Sequence, residues 1–332
     1  MNNPSEFPSL LETFFTDRLM RQRRASPHTI AAYRDTFRLL FAYAWQKLRR
    51  PPSALTLDDL NSSFVGAFLD HLEQTRGNAA RSRNARLAAI HAFFRYLVFE
   101  RPEKSALVQR VLAIPSKRCT RALVTYLTPE EVRSLMDAPN RSLWSGRRDH
   151  AILQLAVQTG LRVSELTGLQ CESLAWGAGA HVRCVGKGRK TRCTPLTRNT
   201  AAVMRTWLKE RDVAPSEPLF PNGRGGRLST DGVAYILATH VATARRTCPS
   251  LATKRISPHV LRHTAAMTLL HAGVDCTVIA LWLGHERLET TQIYLTADMA
   301  EKERIMEKAA FPKSRATRYH PDDALLAFLK GL

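Results

Sequence analysis

Large apolar residues recur at helical intervals through most of this chain, and the period changes between Ser173 and Leu196. A stripe at helical spacing must be covered by another element, so the pattern calls for packed helices. Up to about Glu100 three helices stand out. Ser26-Pro27 opens the first, serine as cap and proline at the first helical position, and Tyr33, Phe37, Leu40 and Phe41 follow at helical intervals. A second runs from about Phe64 to Thr75 and stops at Gly77, and a third carries Leu87, Ile90, Phe94 and Leu97. The other face of the third bears Arg81, Arg83, Arg86 and Arg95, which reads either as a solvated charged face or as a set of phosphate contacts.

From Arg101 to about Ala122 no sustained pattern remains, and Pro102 and Pro115 stand among Lys104, Lys117, Arg118 and Arg121. This stretch reads as an interdomain linker, drawn at 106–122. Structure restarts at Thr128-Pro129-Glu130-Glu131, where the threonine caps, the proline takes the first helical position and Glu131 completes a capping box. Arg148 to Gln158 reads as a helix stopped by Gly160. SLAW, HVRCV and TRCTPL, between Ser173 and Leu196, are short and strand-like, with Gly177, Gly179, Gly186 and Gly188 in the turns. Helices then return. After Ala310 comes a polar break, and Leu325, Phe328, Leu329 and Leu332 put one apolar stripe on a short tail helix. The expected fold is mainly α with a small antiparallel β-sheet, in two domains (1–105 and 123–310) with a tail (311–332).

The 332 residues carry 49 Lys plus Arg against 29 Asp plus Glu, a net charge of +20 and a pI near 10.3. Such a surface attracts polyanions, nucleic acid above all. At 44% hydrophobic content the chain can pack a core without disulfides or metals. No apolar run reaches the roughly 18–20 residues of a membrane span, and MNNPSEFPSL is not a secretory signal, so a soluble cytoplasmic protein is expected. The six cysteines form no CxxC pair and no metal-ligand spacing, which points to free thiols; Cys184 and Cys193 could face one another across a hairpin or pack separately.

The chemistry concentrates in three places: Thr159-Gly160-Leu161-Arg162-x-x-Glu165-Leu166, the turn Gly186-Lys187-Gly188, and a stretch holding His259-x-x-Arg262, Leu283-Gly284-His285 and Tyr294. Two arginines, a lysine, two histidines and a late tyrosine are what metal-free attack on a phosphodiester needs. Arg162 and Arg262 would place planar, always-charged forks on the non-bridging oxygens. Glu165, three residues after Arg162, suits an ion pair that orients that fork. His259 and His285 would move a proton at the nucleophile or hydrogen-bond the phosphate. His259 and His263 stand at i,i+4, but no carboxylate or thiol nearby completes a zinc set, and His263 reads as packing or hydrogen bonding within its helix. In Gly186-Lys187-Gly188-Arg189-Lys190 the glycines permit a mobile turn; Arg189 and Lys190 are rivals to Lys187 or plain phosphate contacts. Gly223-Arg224-Gly225-Gly226-Arg227 is a flexible basic loop that touches DNA or only solvent.

In order and local wording these motifs resemble the tyrosine recombinases, the phage-integrase or Xer-type family, over roughly residues 9 to 310. The resemblance implies a small helical DNA-clamping domain followed by a catalytic domain. It assigns the catalytic set to Arg162, Lys187, His259, Arg262, His285 and Tyr294, with Lys187 as the acid that protonates the leaving 5′ oxygen and Tyr294 as the nucleophile. The activity it implies is site-specific recombination of double-stranded DNA through a 3′-phosphotyrosine, without cofactor or metal, by a tetramer on two synapsed sites. About ten residues precede the first helix, which leaves no room for an additional arm-binding domain. The rival readings are a type IB topoisomerase, which shares the chemistry, and a non-catalytic DNA-binding regulator.

Overall fold

The computed structural model describes residues 6–119, 124–177, 179–186, 191–285 and 289–297. The chain divides into two compact units, Met1–Arg121 and Ala122–Leu332.

The first unit is helical throughout. Helix α1 (Glu6–Thr13) continues as a π-helical segment (Phe14–Gln22) and is followed by α2 (Pro27–Leu48), α3 (Ser62–Gln74), α4 (Ala80–Glu100) and α5 (Ser105–Leu112). The anticipated start of α2 is present: Ser26 Oγ accepts the Thr29 N–H at 3.2 Å with Pro27 at the first position. Asn61 caps α3 in the same way, accepting from Phe64 at 3.0 Å. The core gathers on Phe93 of α4, which meets Phe7, Phe14 and Phe37 edge-on at centroid distances of 5.9, 5.4 and 5.5 Å.

Two expectations for this unit are corrected. The stretch read as a patternless linker begins with α5, whose Val108 and Val111 are 0% exposed in the core. Two turns of helix are too short to announce a period, and the prolines and basic residues around them mask it. The arginines of α4 also divide. Arg83 is buried, donating to the Pro115 carbonyl at 3.0 Å and lying 3.9 Å from Glu73, so it ties the chain back onto α4 and is not a phosphate contact. Arg86 bridges to α2 through the Ala32 carbonyl and Thr36 Oγ1, both at 3.1 Å. Arg81 and Arg95 are exposed.

The second unit begins with α6 (Pro129–Asp137), α7 (Trp144–Thr159) and α8 (Val163–Thr167). A three-stranded antiparallel sheet follows in the order β1 (Leu174–Ala175), β2 (His181–Val185), β3 (Thr191–Pro195). Helices α9 (Arg198–Arg211), α10 (Thr230–Ala244), α11 (Pro258–His271), α12 (Cys276–Leu283) and α13 (Glu289–Ala297) complete it. The capping box at Thr128 and Glu131 forms, and Glu131, 1% exposed, also accepts from Lys254 at 2.6 Å and Ser250 at 2.7 Å. Burial would raise its pKa, but these hydrogen bonds and the Thr128 N–H outweigh burial and hold it below the usual carboxylate range.

In the sheet Cys184 pairs with Arg192 and Arg183 with Cys193, so Cys184 is buried while Cys193 is exposed on the other face. All six cysteines are free thiols. The loop at Gly223–Arg227 is a structured turn: Asn222 Oδ1 accepts the N–H groups of Arg224 and Gly226, and Arg227 donates to the Thr167 carbonyl of α8. One core cluster joins Ile152, Leu155, Val182, Trp207 and Leu261; a second, smaller one joins Met267, Ile279, Leu283 and Tyr294. Among the described residues no helix is long and apolar enough to cross a membrane.

Candidate active site

Helix α7 ends at Gly160, which takes a left-handed φ of 62° and turns the chain so that Arg162 caps α8. Gly160 also sits under the end of α12: a β-carbon there would lie 2.6 Å from Leu283 Cδ2 and 3.1 Å from Ala265 Cβ. That approach lets α11 deliver Arg262 between the two loops. Arg262, 5% exposed, donates to the Gly160 carbonyl and to the Leu283 carbonyl, both at 2.7 Å. Arg162 donates to the next carbonyl along, Gly284, at 2.9 Å and to Glu165 Oε1 at 2.8 Å. The two forks thus converge from different helices onto one loop, and each keeps further N–H donors for a ligand.

Glu165 does more than orient Arg162. Its buried carboxylate accepts the Arg162 backbone N–H at 2.8 Å and also a fork from Arg192 of β3, at 3.2 and 2.9 Å. Arg192 lies directly against Gly284, where a β-carbon would collide with its guanidinium; Gly284 is also left-handed, with φ 65°. Three arginines around one carboxylate leave a strongly positive site. Burial first, then Arg162 and Arg192, push the pKa of Arg262 down to about 10, which leaves it charged at neutral pH.

The two late elements complete the cluster. Gly284 ends α12, and His285 follows with Nδ1 2.7 Å from Thr291 Oγ1. Burial, then Arg262, Arg162 and Arg192, bring His285 down to about 4, so its imidazole is neutral at pH 7. Tyr294 on α13 is 1% exposed, with Oη 3.1 Å from His263 Nδ1 and its ring stacked on His285 at 6.4 Å and 15°. Burial raises the phenol's pKa, while Arg262 and Arg162 pull against that rise. His259 is exposed in the first turn of α11. Lys187, Arg189 and Lys190 lie outside the described residues. Of the sequence-derived set, Arg162, Arg262, His285 and Tyr294 therefore form one cluster, with Glu165 where the spacing put it. Among the described residues no three His, Cys, Asp or Glu side chains gather as metal ligands.

The profile of the Phage integrase family matches residues 125–301, the unit that carries this cluster. The chain belongs to the phage integrase family of tyrosine recombinases. The profile of the phage integrase N-terminal SAM-like domain matches residues 13–101 of this recombinase. It is 56% identical over 332 residues, the whole of both chains, to y4rC of Sinorhizobium fredii, a protein named as an integrase/recombinase. To the tyrosine recombinase XerC of Pelobacter propionicus it is 33% identical over 298 residues, 90% of this chain and 93% of that one. In fold it resembles the XerH site-specific recombinase bound to palindromic difH substrate in a post-cleavage complex, with a TM-score of 0.70 at 22% identity over 86% of this chain and 81% of that one. The chain is a site-specific DNA recombinase, and the topoisomerase and regulator readings are not favoured.

Two residues of the recombinase's site escaped sequence reasoning. His263 was expected to serve its own helix and instead meets the Tyr294 hydroxyl. Arg192 stands on β3 on the same face as Thr194, which is 0% exposed, so the strand turns it inward. An arginine on the inward face of a strand needs a carboxylate.

Proposed function

We propose that Tyr294 attacks the scissile phosphate while Arg162 and Arg262 hold its non-bridging oxygens. A 3′-phosphotyrosine and a free 5′ hydroxyl result. What supports this is the gathering, within one chain, of the Tyr294 phenol with two arginine forks that are fixed to backbone carbonyls and act electrostatically on it. The phosphorane carries more negative charge than the ground state, so preorganised forks stabilise it selectively. Their partners Gly160, Leu283 and Gly284 are carbonyls of the loops themselves, so the forks need little rearrangement when DNA arrives. His285, neutral and held at Nδ1 by Thr291, is proposed to hydrogen-bond the phosphate through Nε2. Lys187 is the proposed acid for the 5′ oxygen, with Lys190 as the rival. His259, exposed at the start of α11, is proposed to meet the DNA.

The 5′ hydroxyl of a partner strand then attacks the phosphotyrosine and exchanges strands, which conserves bond energy and calls for no nucleotide. Two duplexes and paired cleavage imply a tetramer, acting in the cytoplasm at the nucleoid. The first unit is proposed to grip the duplex through the exposed Arg81 and Arg95, with Arg189 and Lys190 adding contacts near the cut. The test is trapping on a nicked suicide substrate. Tyr294→Phe is expected to bind DNA with near-normal affinity and form no covalent adduct; an undiminished adduct would remove Tyr294 as the nucleophile. Cleavage is expected to persist in excess EDTA.

A further inference from the structure

Tyr294 has a phenol that must lose its proton, and burial has made that harder. Three histidines are candidates to take the proton, and their geometry separates them. His259, one of the two histidines the sequence offered for this task, is exposed at the start of α11, one turn before His263. His285 commits Nδ1 to Thr291 and presents the flat of its ring to Tyr294, stacked at 15°. His263 points a ring nitrogen at the hydroxyl itself: Nδ1 lies 3.1 Å from Oη, with the rings edge to face at 5.6 Å and 64°. That is within reach for direct proton transfer.

We propose that His263 is the general base for Tyr294, a catalytic residue additional to the six that the motifs supply. The inference rests on Tyr294 being the nucleophile. As Oη bonds to phosphorus, its O–H bond breaks and the proton passes to His263 Nδ1; the P–O5′ bond breaks, and the leaving oxygen takes its proton from the separate acid, proposed as Lys187. In religation the sequence reverses. The 5′ hydroxyl attacks phosphorus, and protonated His263 returns its proton to the departing phenolate.

The surroundings suit this role. The groups facing His263 are His259 and Arg262 on its own helix, His285 after α12 and Tyr294 on α13. Burial, then His259 and Arg262, lower its pKa, so it is neutral at pH 7, and in the tautomer that carries its proton on Nε2 the Nδ1 lone pair accepts from the phenol. The negative phosphorane that forms beside it offsets the repulsion an imidazolium would meet from Arg262.

The experiment measures the rate of covalent adduct formation on a nicked suicide substrate, with full-length protein carrying tyrosine or a ring-fluorinated, more acidic tyrosine at position 294. His263→Asn keeps an acceptor near the Nδ1 position but cannot take the proton. With ordinary tyrosine, His263→Ala and His263→Asn are both expected to slow adduct formation by about 10²- to 10⁴-fold, with DNA affinity unchanged. With the fluorinated phenol each defect is expected to shrink at least tenfold. The comparison of the two phenols is made within one variant, so partial loss of folded protein cancels. Wild-type rates in His263→Asn, an equal defect with both phenols, or faster cleavage in His263→Ala would each overturn the proposal. Failure of the nucleophile reading looks different: Tyr294→Phe would still form adduct.

Discussion

Arg192 tests whether the carboxylate beneath the active site is shared or private. Glu165 holds Arg162 and Arg192 at once, with 3% of its side chain exposed against 13% for Arg192. Arg192→Ala is expected to lower stability by about 1–3 kcal/mol in urea unfolding, because buried Glu165 loses one of its two guanidinium partners and keeps Arg162. It should also slow adduct formation, since the Arg162 fork and the Gly284 loop lose the group packed between them; Arg192→Lys restores charge but not the fork. His285 supplies a pH test. Its pKa is lowered in the folded state from 6.5 to about 4, so over that window the unfolded chain binds the proton first. Its contribution is complete above about pH 6.5 and is lost as the pH falls towards 4. Urea midpoints for wild type and His285→Gln should therefore diverge most at pH 7 and approach one another by pH 4. Among the site residues, Arg162, Arg262, His285 and Tyr294 were legible because their local wording is distinctive. Arg192 and His263 were not, because each acts on a partner far away in sequence: Glu165 from another element, and Tyr294 from another helix.

At the scale of elements, the site depends on how closely α7, α11 and α12 approach. Gly160→Ala meets Leu283 and Ala265 and requires φ of 62° from a residue with a β-carbon, so a loss of about 1–3 kcal/mol is expected. Its loop carries the carbonyl that holds Arg262, so adduct formation should fall along with the melting temperature. In the first unit, Val111 on α5 is fully buried. Val111→Ala should cost about 1.5–3 kcal/mol by chemical denaturation, whereas a true linker residue would show nothing. The helix starts at Ser26 and Thr128 and the stop at Gly160 were readable because caps and glycines act on backbone groups a few residues away. α5 was missed because it exists only by packing; eight residues do not hold a helix alone.

For the whole molecule, +20 of net charge on a DNA recombinase predicts binding that weakens steeply with salt. The arginines of α4 separate phosphate contact from structure. Arg95→Ala, at an exposed position, is expected to weaken binding to all sequences and reduce the log–log salt slope by about one, read by fluorescence anisotropy. Arg83→Ala should instead lower the melting temperature of the first unit, because it breaks the tie to Pro115. The apolar tail stripe at Leu325, Phe328, Leu329 and Leu332 lies outside the described residues. If it serves assembly, deletion after Arg318 leaves single-site binding intact and weakens synapsis in a two-site exchange assay.

By itself the sequence determined the helical class, the small sheet between Ser173 and Leu196, the charge that selects a polyanionic partner and the motifs that carry the family's chemistry. These follow from periodicity, from glycine and cap residues, and from composition, all of which act locally or additively. The tertiary structure alone decided which arginine of α4 turns inward, that α5 belongs to a core, that Glu165 is shared with β3, and which histidine faces the Tyr294 hydroxyl. Each of those outcomes depends on the distance between residues remote in sequence, and burial then reinforces it, because a charged or polar group removed from water must find a partner in whatever elements the fold has brought beside it.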